Sequence, residues 1–180
     1  MFIEQYQVAE KFASQCQNYL FKVLQEIITY SKLPVTTHTN CYIINNVVVH
    51  PKEMVSIQFC NKTHTIKIIM KSTYNVRKHS VVLSFNTDEE KALYYRILYH
   101  ILMYLSNDKF KVSETGDNSL NISVLKTNVY YRIFSSDLNR FTLTTLDNSD
   151  SNNYYIRAQL SYVCSMCSGN NRMITVNLPI

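Results

Sequence analysis

TDEEKALYYRILYHILMYLS, residues 87–106, carries the clearest structural signal in the chain and separates two strand-rich parts. Thr87 and Glu90 have the spacing of a capping box, in which a hydroxyl accepts from the amide three residues later and the glutamate side chain reaches back. Asp88 and Glu89 add negative charge at the positive end of the helix dipole. The sequence therefore predicts a helix over this stretch.

The predicted helix is apolar on nearly two faces. One broad side is aliphatic and consists of Leu93, Ile97, Leu98, Ile101, Leu102 and Leu105. Tyr95, Tyr99 and Met103 follow one another at intervals of four residues and lie roughly opposite. A helix of this kind is usually enclosed by the core. If one face is instead left open, Tyr95, Tyr99 and Met103 are the expected interface with a protein partner.

A second long helix is predicted for residues 3–31, because apolar residues recur at helical spacing until Pro34 ends the pattern. Elsewhere, apolar and polar residues alternate in short runs, which is typical of half-buried strands. Asn45-Asn46, between two apolar runs, has the composition of a tight hairpin turn.

The predicted fold class is α+β, with two helices (about 3–31 and 87–106) packed on largely antiparallel sheet(s) of about ten strands. We expect a single domain over 1–180. The order of elements also fits two helix-plus-sheet halves, 1–85 and 86–180, although no residues match between them.

The composition is globular but weakly charged. Hydrophobic residues make up 46% of the 180, charged residues only 17%, and the net charge of +5 is spread along the chain without a basic run. A weakly charged surface is typical of a protein that works bound to a partner. Abundant Asn, Ile, Lys and Tyr with scarce Gly and Pro indicates an A/T-rich genome, such as that of a yeast, a protist or a large DNA virus.

Several features predict an intracellular protein, cytoplasmic or nuclear, without a membrane segment. The first residues lack the order of a signal peptide, and no apolar run approaches the ~18 residues of a membrane span. Five cysteines, an odd number without dense spacing, indicate a reducing compartment.

Glycine scarcity excludes whole classes of enzyme. The chain contains only Gly116 and Gly169, whereas phosphate loops, dinucleotide fingerprints and nucleophile elbows need closely spaced glycines. No nucleotide cofactor is therefore expected. An enzyme without such motifs remains an alternative, in which the general base is one of four histidines, His50, His64, His79 and His100.

A structural zinc site is one hypothesis for the cysteines, and otherwise no cofactor is expected. Cys164 and Cys167 have the spacing of half a zinc site, and His38 and Cys41 offer a second half with the same spacing. The alternative is that these are separate core or surface residues. Cys60 and His64 are substitute donors.

Arginine alternates with aromatic residues in the last third of the chain. Arg132 follows Tyr131, Arg140 precedes Phe141, and Arg157 follows Tyr155 by two positions. Arginines and tyrosines on a sheet face can bind phosphates and stack on bases. Because neighbouring residues of a strand point to opposite faces, only one of Tyr130 and Tyr131 can join such a face. Ordinary sheet packing is the alternative.

Three functions therefore remain. The first is a non-enzymatic subunit that binds protein partners, or further copies of itself, in a larger intracellular assembly. The second is a nucleic-acid-binding module that uses Arg132, Arg140, Arg157, Tyr131 and Tyr155. The third is the enzyme without a recognisable motif.

Overall fold

The two helices of the fold lie where the sequence predicts them. The structure is a computed structural model that describes residues 2–38, 41–71, 78–116, 119–145, 155–164 and 169–179, with side chains from Gln15 onward except at His38 and Lys78. Helix α1 spans Phe2–Ser31 and α2 spans Asp88–Tyr104. Thr87 caps α2, since its hydroxyl accepts from the Glu90 amide at 3.1 Å.

The described residues form twelve strands in three antiparallel sheets. The first small sheet contains β1 (Thr36–His38), β2 (Cys41–Ile44) and β3 (Val47–Val49). The second small sheet contains β7 (Phe110–Glu114), β8 (Leu120–Lys126) and β9 (Val129–Phe134). The central sheet contains β4 (Met54–Cys60), β5 (Thr65–Lys71), β6 (Lys78–Ser84), β10 (Leu138–Thr145), β11 (Tyr155–Cys164) and β12 (Asn170–Pro179).

The prediction of an α+β fold with two helices and mostly antiparallel sheets is confirmed, while the estimate of about ten strands was only approximate. The strand that the sequence pattern missed is β1, because Thr36-Thr37-His38 contains no apolar residue to alternate with the polar ones.

The order of elements repeats along the chain. The first half consists of α1, the meander β1–β3, a 3-10 turn (Pro51–Glu53) and the meander β4–β6. The second half has the same order: α2, the meander β7–β9, a 3-10 turn (Ser135–Asp137) and the meander β10–β12. The central sheet has the order β12-β11-β10-β4-β5-β6, so β4 of the first half pairs with β10 of the second half at its centre. The hairpin turns Asn45-Asn46 and Thr127-Asn128 even share φ values of 50° and 65°.

The core lies on one face of the central sheet. Apolar side chains of α1 and α2, including Leu24 and Ile97, are fully buried in one cluster with Ile57 and Phe141 of the sheet. The second small sheet joins this cluster through Phe110, whose ring stacks on Phe141 with centroids 6.3 Å apart. Because both helices cover this face, the opposite face of the sheet is left for polar residues.

Candidate nucleic-acid interface

The outer face of the central sheet is polar and basic. Strand register places three rows of residues on it: Met173, Ser161, Arg140, Cys60, Thr65 and Ser84; Thr175, Gln159, Thr142, Gln58, Lys67 and Val82; and Asn177, Arg157, Thr144, Ser56, Ile69 and Ser80. These eighteen described positions include three cations and no carboxylate. The face therefore presents positive charge without local neutralisation.

A groove of about 330 Å³ lies at one end of this face. Lys62, Arg140 and Arg172 line it together with Cys60, and none of its described lining residues is acidic. Lys62 comes from the turn after β4, Arg140 from β10 and Arg172 from β12. Three cations from three segments thus converge on one concave surface, which is a suitable place for a phosphate group.

A larger groove, of about 560 Å³, joins the central sheet to the second small sheet. Arg157 lines it from β11, Lys109 from the segment just before β7, and Lys126 from the end of β8. Among the described residues that line it there is again no carboxylate. Gln159 in this groove and Ser161 in the smaller one are successive outer-face residues of β11, about 7 Å apart, so the two grooves adjoin.

The basic face continues onto the second small sheet. Lys111, Ser123 and Arg132 form one outer row across that sheet, and Leu125 pairs with Tyr130 in the next row. Leu125 also lines the larger groove, which connects this row to the central sheet. The basic surface, as we call it, comprises nine exposed cations: Lys62, Lys67, Lys109, Lys111, Lys126, Arg132, Arg140, Arg157 and Arg172.

This basic surface contains half of the 18 lysine and arginine residues of the chain. Within the described part of the chain, none of the nine forms an ion pair; the two pairs found there are His79–Glu53 and His100–Glu26. The helix side differs, because Lys22 and Arg96 share it with acidic residues such as Glu26 and Glu89. Among the described residues, positive charge is therefore less balanced by acidic side chains on the two grooves of the sheet side than around Lys22 and Arg96.

Cys60 lies within the smaller groove and is chemically distinct. Burial of Cys60 favours the neutral thiol and raises its pKa. Hydrogen bonds from the Thr63 side chain, from the Thr63 and Lys62 amides and from Arg140 together outweigh the effect of burial, so the pKa of Cys60 is lowered. The hydrogen bonds stabilise the thiolate much as they would stabilise any small anion. The Cys60 thiol therefore reports on the electrostatics of the groove.

Strand register decides which aromatic residues accompany the predicted arginines. Arg132 shares the outer face with Tyr130 and Phe134, whereas Tyr131 lies opposite the buried Val124 on the other face. Tyr155 shares its face with Arg157, but it is half-buried at the start of β11 opposite Pro179. Sequence reasoning missed Tyr130 and Phe134 as a pair, although their spacing from Arg132 by two positions on each side was a usable signal.

The residues predicted as a partner interface on α2 are largely packed. Tyr95 and Tyr99 are half-buried against the core with ring centroids 6.2 Å apart, and the Tyr95 hydroxyl lies 3.1 Å from Nε2 of His64. Burial raises the pKa of Tyr95, with a further contribution from Tyr99. Met103 is exposed. Tyr94, which the sequence pattern did not single out, is fully buried and donates to Oδ1 of Asn61 at 2.5 Å.

The zinc hypothesis falls partly outside the described residues. Cys167 and the side chain of His38 are not described, while Cys41 and Cys164 are half-buried at the ends of β2 and β11. No group of three or more potential metal ligands occurs in the part of the chain that is described. The zinc site therefore stays a prediction.

The histidines predicted as general bases have separate contacts. His50 accepts from the Lys52 amide through Nδ1, and Nε2 of His79 lies 3.8 Å from Glu53. Nε2 of His100 lies 2.9 Å from Glu26. His64 contacts Tyr95. The contact of His50 lies at a 3-10 turn, that of His79 joins a strand to this turn, and those of His64 and His100 involve α2.

Comparisons with protein-family models, with curated protein sequences and with solved structures found no match to this chain. Neither helix, over its described residues, combines the length and apolar character needed to cross a membrane.

Proposed function

We propose that this protein is a non-enzymatic nucleic-acid-binding module and that its basic surface contacts the phosphate backbone. The observation that carries the proposal is the clustering of nine exposed cations, with no described carboxylate lining either groove. Phosphate contacts supply most of the affinity of such modules, because each one releases condensed counterions. A charged surface free of acidic neighbours favours these contacts.

The geometry of the surface supports contact with several phosphates in succession. Lys126 and Arg157 line the larger groove and Arg140 lines the smaller groove beside it, so three cations follow one another along the two grooves. A polyanion that follows this line meets a cation at each step, whereas an isolated anion uses only one groove. This arrangement favours an extended nucleic acid over a small phosphorylated ligand.

The test is fluorescence anisotropy of a labelled oligonucleotide titrated with the full chain over a series of salt concentrations. We expect affinity to fall steeply with salt, and the double variant Arg140→Gln/Arg157→Gln to lessen the slope by about 0.7–0.9 for each phosphate contact removed. The matched control, Lys22→Gln/Arg96→Gln, removes the same charge from the helix side and should retain the slope. No binding at low salt, or equal losses in both double variants, contradicts the proposal.

A protein partner on the helix side is a second candidate function. Tyr30, Met103 and Tyr104 are each 42% exposed, which is unusual for large apolar side chains on two packed helices. Tyr30 stacks on His100 of α2, with ring centroids 4.4 Å apart, so the Tyr30 side chain is held against the helix that carries Met103 and Tyr104.

A second copy of the chain is the simplest partner for that exposed group, and light scattering over a range of concentrations tests it. We expect self-association that Met103→Glu abolishes without changing the affinity for nucleic acid. A chain that stays monomeric at every concentration argues against this second function and leaves the first unaffected.

A further inference from the structure

The outer side of β9 carries the most exposed aromatic group on the sheets. Tyr130 and Phe134 are 59% and 50% exposed, and the exposed Arg132 lies between them. The three occupy alternate positions of one strand and therefore project from the same face, with successive side chains about 7 Å apart. Ordinary packing does not explain this group, because strands place such residues toward a core when one is available.

We propose that Tyr130, Arg132 and Phe134 form a stacking platform for unpaired bases, so that the nucleic acid recognised is single-stranded. The inference rests on the proposed function and adds its ligand class. Bases in an undistorted duplex are stacked on one another and do not offer their faces to protein side chains, whereas unpaired bases stack on aromatic rings and on guanidinium planes. Arg132 can supply both a stacking plane and a charge for the adjacent phosphate.

Charge complementarity favours a nucleic acid over a peptide at this place. Lys111 lies in the same outer row as Arg132, and Leu125, opposite Tyr130, leads into the groove that contains Lys109, Lys126 and Arg157. A strand bound by bases on the platform therefore finds cations for its phosphates on the side of β8 and β7. A peptide that extends the sheet would use the backbone edge of β9 and would have no need of the aromatic face.

The first small sheet provides an internal comparison. Its β2–β3 turn has the same backbone conformation as the β8–β9 turn, and its outer row consists of Thr36, Ile43 and Val48. On β3, the strand equivalent to β9, this row contains only Val48, which is neither aromatic nor basic. Since the two meanders occupy equivalent places in the chain order, the aromatic and basic residues of β9 are not a requirement of the architecture.

The experiment compares single-stranded and duplex oligonucleotides of equal length in anisotropy titrations of the full chain. We expect Tyr130→Ala and Phe134→Ala each to weaken single-strand affinity about tenfold while leaving duplex affinity and the salt slope unchanged. Tyr130→Phe should keep the affinity because it keeps the ring. The matched control, Val48→Ala, removes exposed apolar surface from the first small sheet and should have no effect.

A second readout does not depend on loss of binding. The chain contains no tryptophan, so Tyr130→Trp introduces a single indole into the platform. Stacking of a base on this indole should quench its fluorescence when single strands are added, and duplex should leave it unchanged.

The outcomes separate the two proposals. If the alanine variants bind single strands as the natural chain does, or lose single-strand and duplex binding equally, the platform is wrong while the phosphate-binding surface stands. Capture of an extended peptide by β9, without any effect of nucleic acid on the indole fluorescence of the Tyr130→Trp chain, also overturns it. Failure to bind either nucleic acid removes both proposals.

Discussion

Arg157 and Lys126 line one groove, although Arg157 belongs to the central sheet and Lys126 to the second small sheet. Their contribution to a common surface depends on how the two sheets meet, since nothing in the sequence near either residue indicates the other. This junction brings basic residues of two sheets into one groove. The electrostatics of the smaller groove can be measured through the Cys60 thiol that lines it.

Cys60 provides the first measurement. Because hydrogen bonds lower its pKa, the Cys60 thiol should react with iodoacetamide at neutral pH faster than the thiol of Cys16, whose pKa is raised by burial. The rate should rise with pH to a midpoint below the usual range of cysteine. Peptide mass spectrometry over a pH series gives both rates. A midpoint for Cys60 at or above the usual range would contradict the assigned hydrogen bonds.

Bound nucleic acid should protect the same thiol. Cys60 lines the smaller groove with Arg140, so a phosphate chain in that groove should slow its alkylation severalfold. Cys41, on the first small sheet, is the control and should react at an unchanged rate. Equal protection of both thiols would indicate a general effect rather than occupancy of the groove.

The buried hydrogen bond of Tyr94 should contribute measurably to stability. Tyr94 donates to Asn61, which in turn donates from Nδ2 to the Leu138 carbonyl at 2.7 Å, so the bond connects α2 to both halves of the central sheet. Tyr94→Phe should lower the free energy of unfolding by about 1 kcal/mol in urea melts. Tyr104→Phe removes an exposed hydroxyl and should change nothing measurable. Equal stability of Tyr94→Phe and the natural chain would mean that the bond is absent.

Tyr94 also predicts how stability depends on pH. Burial, together with the nearby Cys60 and Tyr95, raises the pKa of Tyr94, so the folded state retains the phenol proton more strongly than the unfolded chain does. This contribution is fully present below the unfolded pKa of about 10 and declines as pH rises above it. Urea melts across that range should show a decline that is smaller in Tyr94→Phe.

Capping of α2 can be tested at Thr87. Its hydroxyl accepts from the Glu90 amide and donates to Oε1 of Glu90 at 3.0 Å. Thr87→Ala should reduce the free energy of unfolding by about 1 kcal/mol, while Thr87→Ser, which keeps the hydroxyl, should lose little. Thermal melts followed by circular dichroism measure both, and similar losses in the two variants would show that the cap is not responsible.

Turn conformation gives a test of the repeated meanders. Asn128 and Asn46 both have φ of 65°, a conformation that glycine adopts without strain. Asn128→Gly should preserve or raise stability because glycine has no Cβ to clash in this conformation, whereas Asn128→Ala should cost up to about 1 kcal/mol because alanine keeps the Cβ and loses the polar side chain that lets asparagine occupy this region. The same pair of changes at Asn46 should behave alike. Equal tolerance of glycine and alanine at either site would contradict the turn geometry.

Local signals explain why much of the fold could be predicted. The Thr87–Glu90 box fixes the start of α2, and the alternation in β4 and β5 reflects side chains that point to opposite faces. Asn45-Asn46 indicates a hairpin because asparagine tolerates positive φ. Each of these signals lies within a few neighbouring residues, so no tertiary knowledge is needed. The three-residue β1 had no such signal.

The site was less predictable because it is built from distant segments. Sequence spacing identified Arg132, Arg140 and Arg157, and the structure places all three on the outer faces of sheets. The sequence did not indicate that Lys62 and Arg172 join Arg140 in one groove. Nor could it choose between Tyr130 and Tyr131, since the face of β9 that meets the core is decided by Ile133 packing opposite Ile122.

By itself, the sequence determined the two helices, most of the strands and the absence of glycine-dependent nucleotide motifs, because helix caps, alternation and glycine spacing act through neighbouring residues. Only the tertiary structure decided that scattered cations form one surface. The helices bury one face of the central sheet, and the polar residues of every strand are thereby left together on the other. Burial of apolar area, which is a property of the whole chain, thus brought the charges together.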